Sequence, residues 1–287
     1  MSGAEAASLA FVLKVAGCAV LGGVLGSIAG IGGGVIIVPV LTVFLGMDIR
    51  YAIGASIVSV IATSSGAGSV YVKDRLTNIR IAMFLEVATA LGAILGAALL
   101  APHLPANLLA LLFGLTLLVS LVPIFRKFGE ELPEGVVDDA LARRLRLDGH
   151  YFDKRLRREV TYQVTGIPAA TGYMFAAGII SGLLGIGAGV LKVLAHEIAM
   201  KVPSKVSTAT SNFMIGVTAA AASGVYLHRS LVLPFVVVPV ATGVLAGAFL
   251  GTKLMERMSN NLVRQVFAGA LALIGGQMLL RGLGVLG

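Results

Sequence analysis

Tryptophan is missing from this chain of 287 residues, cysteine occurs once, and charged side chains make up 13% of it. Without Trp, the interfacial belt of a membrane protein falls to the six Tyr, which fill it in part. The single thiol, Cys18, excludes an internal disulfide framework and a four-cysteine metal site. It stands in an apolar run and reads as a packed, inert side chain. Neither G-x-S-x-G nor G-x-x-x-x-G-K-[ST] occurs, which removes the nucleophile elbow and the ATP-driven pump. His103, His150, His196 and His228 are scattered. His196-Glu197-Ile198-Ala199-Met200 lacks the second His of a zinc protease helix, so no metal and no cofactor is expected.

What the chain has is apolar length and glycine. Hydrophobic residues make up 57% and mean hydropathy is +0.95. Runs such as Ala52 to Val72, Ile81 to Leu100, Leu108 to Phe125, Gly166 to Leu184, Thr208 to Leu227, Leu231 to Leu250 and Leu262 to Leu280 each suit a bilayer-crossing helix of roughly 20 residues. The expected fold is an all-α polytopic membrane protein.

The chain is also a duplication. Gly30-Ile-Gly-Gly-Gly recurs 155 residues later as Gly185-Ile-Gly-Ala-Gly. In the same register Val35 meets Val190, Ser56 meets Ser211, Thr63 meets Thr218, and Gly92 and Gly96 meet Gly247 and Gly251. Paired glycine breaks inside apolar segments point to the binding site of a secondary transporter. The expected organisation is a first transmembrane repeat at 8–126, a charged linker at 127–165 and a second repeat at 166–284. The first apolar run, Leu9 to Ile28, resembles a signal peptide, but its counterpart recurs in mid-chain, which argues for a retained element.

The net charge of +8 does not signal nucleic acid, because the charges are concentrated. Arg126 to Glu159 carries nine Lys/Arg and eight Asp/Glu. Its cluster Arg143, Arg144, Arg146, Lys154, Arg155, Arg157 and Arg158 places the linker in the cytoplasm by the positive-inside rule, where contact with anionic lipid is open to it. Within the linker, Pro133 to Leu147 reads as a short amphipathic helix, and Val160, Tyr162 and Val164 alternate as in a strand. With the linker inside, the basic loops of both halves fall inside only if the second half is inverted. Each half then holds three transmembrane helices plus a Gly-broken helix pair or hairpin. An even count of crossings with parallel repeats is the rival arrangement.

Backbone that leaves helical geometry inside a bilayer is tolerated only where it is buried in protein or lines a polar cavity. The helices starting at Gly34 or Val35 and at Gly189 or Val190 present free N–H groups and positive dipole ends toward the breaks. Facing ends make a site for a small anion. The competing reading is close helix packing on small residues, which suits Gly92 and Gly96 better. Lys192, on the first turn after the second break, has Ile37 as its repeat partner and reads as an anion contact. His196 and Glu197, one turn on, read as a proton-linked group or as a structural pair. Expected to line the site are Gly32, Gly33, Gly34, Val35 and Ser56 from the first half. From the second come Gly187, Ala188, Gly189, Val190, Lys192, Thr210, Ser211 and Asn212. Glu86 is read with Arg80 as an interfacial ion pair.

The residues Gly30-Ile-Gly-Gly-Gly-Val-Ile-Ile-Val-Pro39 with Ala52-Ile-Gly-Ala-Ser-Ile, and Gly182-Leu-Leu-Gly-Ile-Gly-Ala-Gly-Val190 with Ser207-Thr-Ala-Thr-Ser-Asn212, resemble the TauE/SafE sulfite exporter family. The resemblance implies a multi-pass permease of the cell membrane for sulfite or organosulfur anions, with small carboxylates as further candidates. Lys192-Val-Leu-Ala195 stands where the first copy has Ile37-Val-Pro-Val40, which breaks exact twofold equivalence. An anion channel and an intramembrane enzyme are the alternative classes. The enzyme would need a nucleophile with its base, paired carboxylates or a full metal site.

Overall fold

A computed structural model describes residues 3–29, 34–121, 136, 139–153, 157–255 and 260–285. Helix α1 spans Gly3–Ala29, and α2 spans Gly34–Pro39 and widens into a π turn over Val40–Phe44. Then come α3 (Ile49–Lys73), α4 (Ile79–Leu95, with a π turn over Gly96–Leu100) and α5 (Ala106–Val119). The second set is α7 (Ile167–Leu184), α8 (Gly189–Leu194, with a π turn over Ala195–Ala199), α9 (Ser204–His228), α10 (Pro234–Met255) and α11 (Asn260–Gly282).

The starts of α2, α3, α4 and of the first π turn, each moved by 155, give the starts of α8, α9, α10 and of the second π turn. Duplication in sequence is thus duplication of element boundaries. Pro39 does not cause the first π turn, because the second forms in the same register with Leu194 in place of proline.

Among the described residues, four segments are long and apolar enough to cross a membrane: Ile49–Lys73, Ile79–His103, Ile167–Leu184 and Pro234–Gly251. Their outer faces carry exposed Met83, Val87 and Leu91 on α4, and Phe235, Val238, Leu245 and Phe249 on α10. Such stripes are at home against lipid tails. The protein is an all-α, multi-pass membrane protein. The short units Gly34–Phe44 and Gly189–Ala199 reach only about 16 Å at helical rise, half of the roughly 30 Å hydrocarbon layer.

The two halves interlock. Helix α1 packs on α10 and α7 packs on α4, so the first helix of each half lies on the fourth of the other. Helices α3 and α9 pair, as do α5 and α11. The exchanged pairs close on glycine: a Cβ at Gly178 or Gly182 would stand 2.1 or 2.0 Å from the carbonyl oxygen of Thr89 or Ala93. On α1 and α10 the equivalent contacts are Gly23 against Val244 O at 2.3 Å and Gly247 against Val20 O at 2.1 Å. Gly92 and Gly96 likewise abut Phe175 O and Ile179 O on α7. These glycines act by letting helices touch, the small-residue packing of membrane interiors.

Between the halves lie α6 (Ala140–Leu145) and an antiparallel hairpin, β1 (Gly149–Asp153) with β2 (Arg158–Tyr162). The helix is shorter than the Pro133 to Leu147 stretch expected, much of which lies outside the described residues. Arg146, at φ 53°, ends it in the left-handed region. Strand β2 falls where Val160 and Tyr162 alternate. Its partner β1 was not anticipated, because only Tyr151 and Asp153 of it turn inward. Tyr151, Val160, Leu147 and Ala142 join Ile81, Leu85, Ile167, Met174, Met200 and Val206 in one buried cluster, which fixes the hairpin across one end of the bundle. Asn78 Nδ2 donates to Leu147 O and to Tyr162 Oη, both at 2.8 Å, and Lys205 Nζ reaches Asp153 Oδ2 at 2.7 Å. Burial pushes the Tyr162 phenol up to about 12, against the opposing effect of the Asn78 hydrogen bond.

Candidate functional site

At the second break the chain turns through Gly185 (φ 66°), Gly187 (φ 70°) and Ala188 (φ 48°). Left-handed geometry is open to glycine at Gly185 and Gly187 and strained at Ala188. Space gives a second reason for glycine: a Cβ on Gly187 would lie 2.5 Å from Ile215 Cγ2. Gly32 and Gly33 of the first break lie outside the described residues. Gly34 is buried, and a Cβ there would stand 2.1 Å from Val60 Cγ2.

Ser56 ties the two breaks together. Its hydroxyl lies 2.9 Å from both Gly34 O and Gly185 O. Ser211, its repeat partner, donates to Gly189 O at 3.0 Å. Each serine therefore holds the start of its own half's short helix. Both hydroxyls are committed to the carbonyls on which the short helices begin, and Ser56 also reaches the carbonyl of Gly185, where α7 ends. Among the described residues, the cavity lined by Val35, Ser120, Ala188, Gly189, Val190 and Leu191 measures about 10 Å³, room for one water and not for an oxyanion.

Lys192 has no exposed surface. Its ammonium donates to Thr218 Oγ1, and Thr218 Oγ1 lies 2.6 Å from Glu86 Oε1. Lys192 Nζ is 3.9 Å from Glu86 Oε2, an oxygen with no hydrogen-bond partner of its own. The triad joins α8, α9 and α4. Glu86 thus pairs with Lys192 and not with Arg80, whose guanidinium donates to Arg146 O at the hairpin. An ion pair with so little solvent is tolerated only if each charge keeps its partner. Glu86 and Thr218 were missed as site residues. A signal was present in the repeat: Lys192 aligns with Ile37 and Glu86 with Ala241, so each half carries one charge that its copy lacks.

His196 is fully buried beside the backbone of Ser207, and among the described residues neither ring nitrogen has a hydrogen bond of good geometry. Glu197 is buried and bonds the side chain of Ser204. Thr210 Oγ1 accepts from Asn78 N at 3.0 Å and braces the loop before α4. Asn212 offers its carbonyl oxygen to Ser64. Thr210 thus bonds between elements, while Gly34, Ser56, Gly185, Gly189 and Ser211 lie together where the two short helices begin. Among the described residues no group of His, Cys, Asp and Glu could hold a metal ion.

Comparison with known proteins places the chain in a family. The chain is 25% identical over 283 residues to the probable membrane transporter protein YunE of Bacillus subtilis (strain 168), covering 96% of this chain and 99% of that one. No solved structure matches. Residues 15–278 match the family described as Sulfite exporter TauE/SafE. The protein is accordingly a membrane transporter and not an enzyme. On a match that spans nearly all of its helices, the chain belongs to the TauE/SafE sulfite exporter family.

Proposed function

We propose that the protein is a secondary permease for a small anion, sulfite or an organosulfur anion, bound between the two glycine breaks with Lys192 as its cation. The observation that carries this reading is the fully buried Lys192 on the helix leaving the second break. A lysine there is costly in a membrane unless a negative partner is always present. Glu86 supplies that partner while the elbows are closed. On transport the anion takes its place: a proton on Glu86 frees Lys192, the elbows part, and Gly34, Val35, Gly189 and Val190 turn their amides to the anion. Ser56 and Ser211 lose their carbonyl acceptors in that step and turn their hydroxyls inward. His196 lies one turn beyond Lys192 toward the hairpin, and with Glu197 it carries the proton onward.

The repeats are inverted in this account, the linker is cytoplasmic, and the membrane is the cell membrane. Proteoliposome uptake of sulfite, sulfonates and carboxylates tests the substrate class. Saturable uptake of sulfur oxyanions without a conductance is expected. Failure to take up any of these anions overturns the reading, and an ohmic anion current replaces it with a channel.

A further inference from the structure

At the bundle end opposite the hairpin lies a cavity of about 210 Å³, lined by Arg50, Ile53, Pro102, Leu109, Tyr226 and Arg229 among others, with no carboxylate in its wall. Arg50 stands on the first turn of α3, and Arg229 follows the last residue of α9. One guanidinium nitrogen of each is spent on a carbonyl, Leu104 O at 3.2 Å for Arg50 and Ala98 O at 2.7 Å for Arg229. Arg50 Nε is buried and has no partner. Two guanidinium groups facing a largely apolar space repel each other, and planar arginine donors match the oxygens of a sulfur or phosphorus oxyanion.

The duplication supplies an internal control. In the repeat register Arg50 corresponds to Lys205 and Arg229 to Asp74. At the hairpin end, therefore, the equivalent pair carries one charge of each sign, and Lys205 is held by Asp153 at 2.7 Å. At this end both members are cations, and Asp48, the nearby acid, accepts the backbone N–H of Arg50 at 2.8 Å. The cavity also leads inward. Tyr226 Oη donates to Gly182 O at 2.8 Å, and Ile53 Cγ2 lies 2.8 Å from where a Cβ on Gly185 would sit. Its inner wall is thus in touch with the second break.

The geometry points to Arg50 and Arg229 as a vestibular binding site for a small oxyanion, which loads the permease from the side opposite the hairpin before the anion reaches Lys192. This deepens the anion-permease reading and rests on it for the transport step, while the binding step stands by itself. A lipid headgroup phosphate has the same chemistry as a free anion, so the test separates them.

Sulfite is titrated calorimetrically into lipid-free protein in an uncharged maltoside micelle, for the parent, Arg50→Gln and Arg229→Gln. The same proteins are assayed for uptake in proteoliposomes. Expected is sulfite binding by the parent, weakened at least about tenfold in either arginine variant, the loss of one charge-assisted hydrogen bond. Uptake by the arginine variants should show KM raised by a similar factor, with the rate at saturating sulfite retained. Parent affinity and parent KM in both arginine variants overturn the vestibule while leaving the permease standing. Arginine-dependent binding with no uptake of any anion by the parent keeps the vestibule and sinks the permease. If sulfite leaves the micelle protein cold, and phosphatidylglycerol vesicles bind the parent but neither arginine variant, the ligand is a lipid and the loading role is wrong. Arg229 is exposed, so its replacement does not depend on repacking the core.

Discussion

Lys192, Thr218 and Glu86 form a hydrogen-bonded triad of three buried side chains. Removing one charge leaves the other in an apolar interior without compensation, a cost of roughly 3–5 kcal/mol. Removing both at matched volume is often neutral. The repeat-related positions already carry the apolar version, Ile37 of the first half with Ala241 of the second. Lys192→Ile alone and Glu86→Ala alone should therefore lower unfolding stability in micelles strongly, and the double variant should recover most of the loss. Thermal unfolding of the three variants checks this, and a double variant no better than the singles would show that the pair is not the unit. Lys192 was legible as an ionisable residue beside a glycine break. Its partner was not, because Glu86 sits six residues beyond Arg80 and local spacing drew the pairing the wrong way. Only the fold, by laying α4 on α7 and under α9, brings residue 86 to residue 192.

The helices were legible because hydropathy and glycine spacing act over whole segments, and the repeat marked their boundaries twice. The exchange of first helices between halves was not. It depends on carbonyl-to-glycine approaches such as Gly178 to Thr89, which no linear pattern encodes. Strand β1 was missed for a related reason: its inward residues, Tyr151 and Asp153, include a carboxylate that is met by Lys205 from another element. The docked hairpin has a measurable signature. The Tyr162 phenol titrates at about 12 in the folded protein against 10.0 for its ordinary value. The folded state binds its proton more tightly, so this stabilisation is fully present below pH 10 and is lost as pH rises toward 12. Melting temperature should fall more steeply above pH 10 in the parent than in Tyr162→Phe, followed by circular dichroism from pH 8 to 11.5. Equal slopes would show that the ring does not report on docking.

At the scale of the molecule the two ends differ. One is capped by the hairpin, with its lysine neutralised by Asp153; the other opens on two arginines. Lys201 precedes α9 and Ser230 follows it, and a helix of 25 residues at helical rise separates them by about 37 Å. Both positions are exposed. In a Cys18→Ala background, single cysteines at these positions should label from opposite sides of the cell membrane, 201 from the cytoplasm and 230 from outside. The reverse pattern would place the linker outside and turn the loading direction around; labelling of both from one side would remove the crossing of α9.

Counterflow of radiolabelled sulfite tests the central claim most directly, in proteoliposomes that hold either the parent or the folded Lys192→Ile/Glu86→Ala double variant. With the parent, unlabelled sulfite inside should accelerate entry of label, and entry should saturate. With the double variant, both should vanish although the protein remains folded. Counterflow by the double variant at the parent's rate would contradict the assignment of Lys192 as the cation that holds the anion.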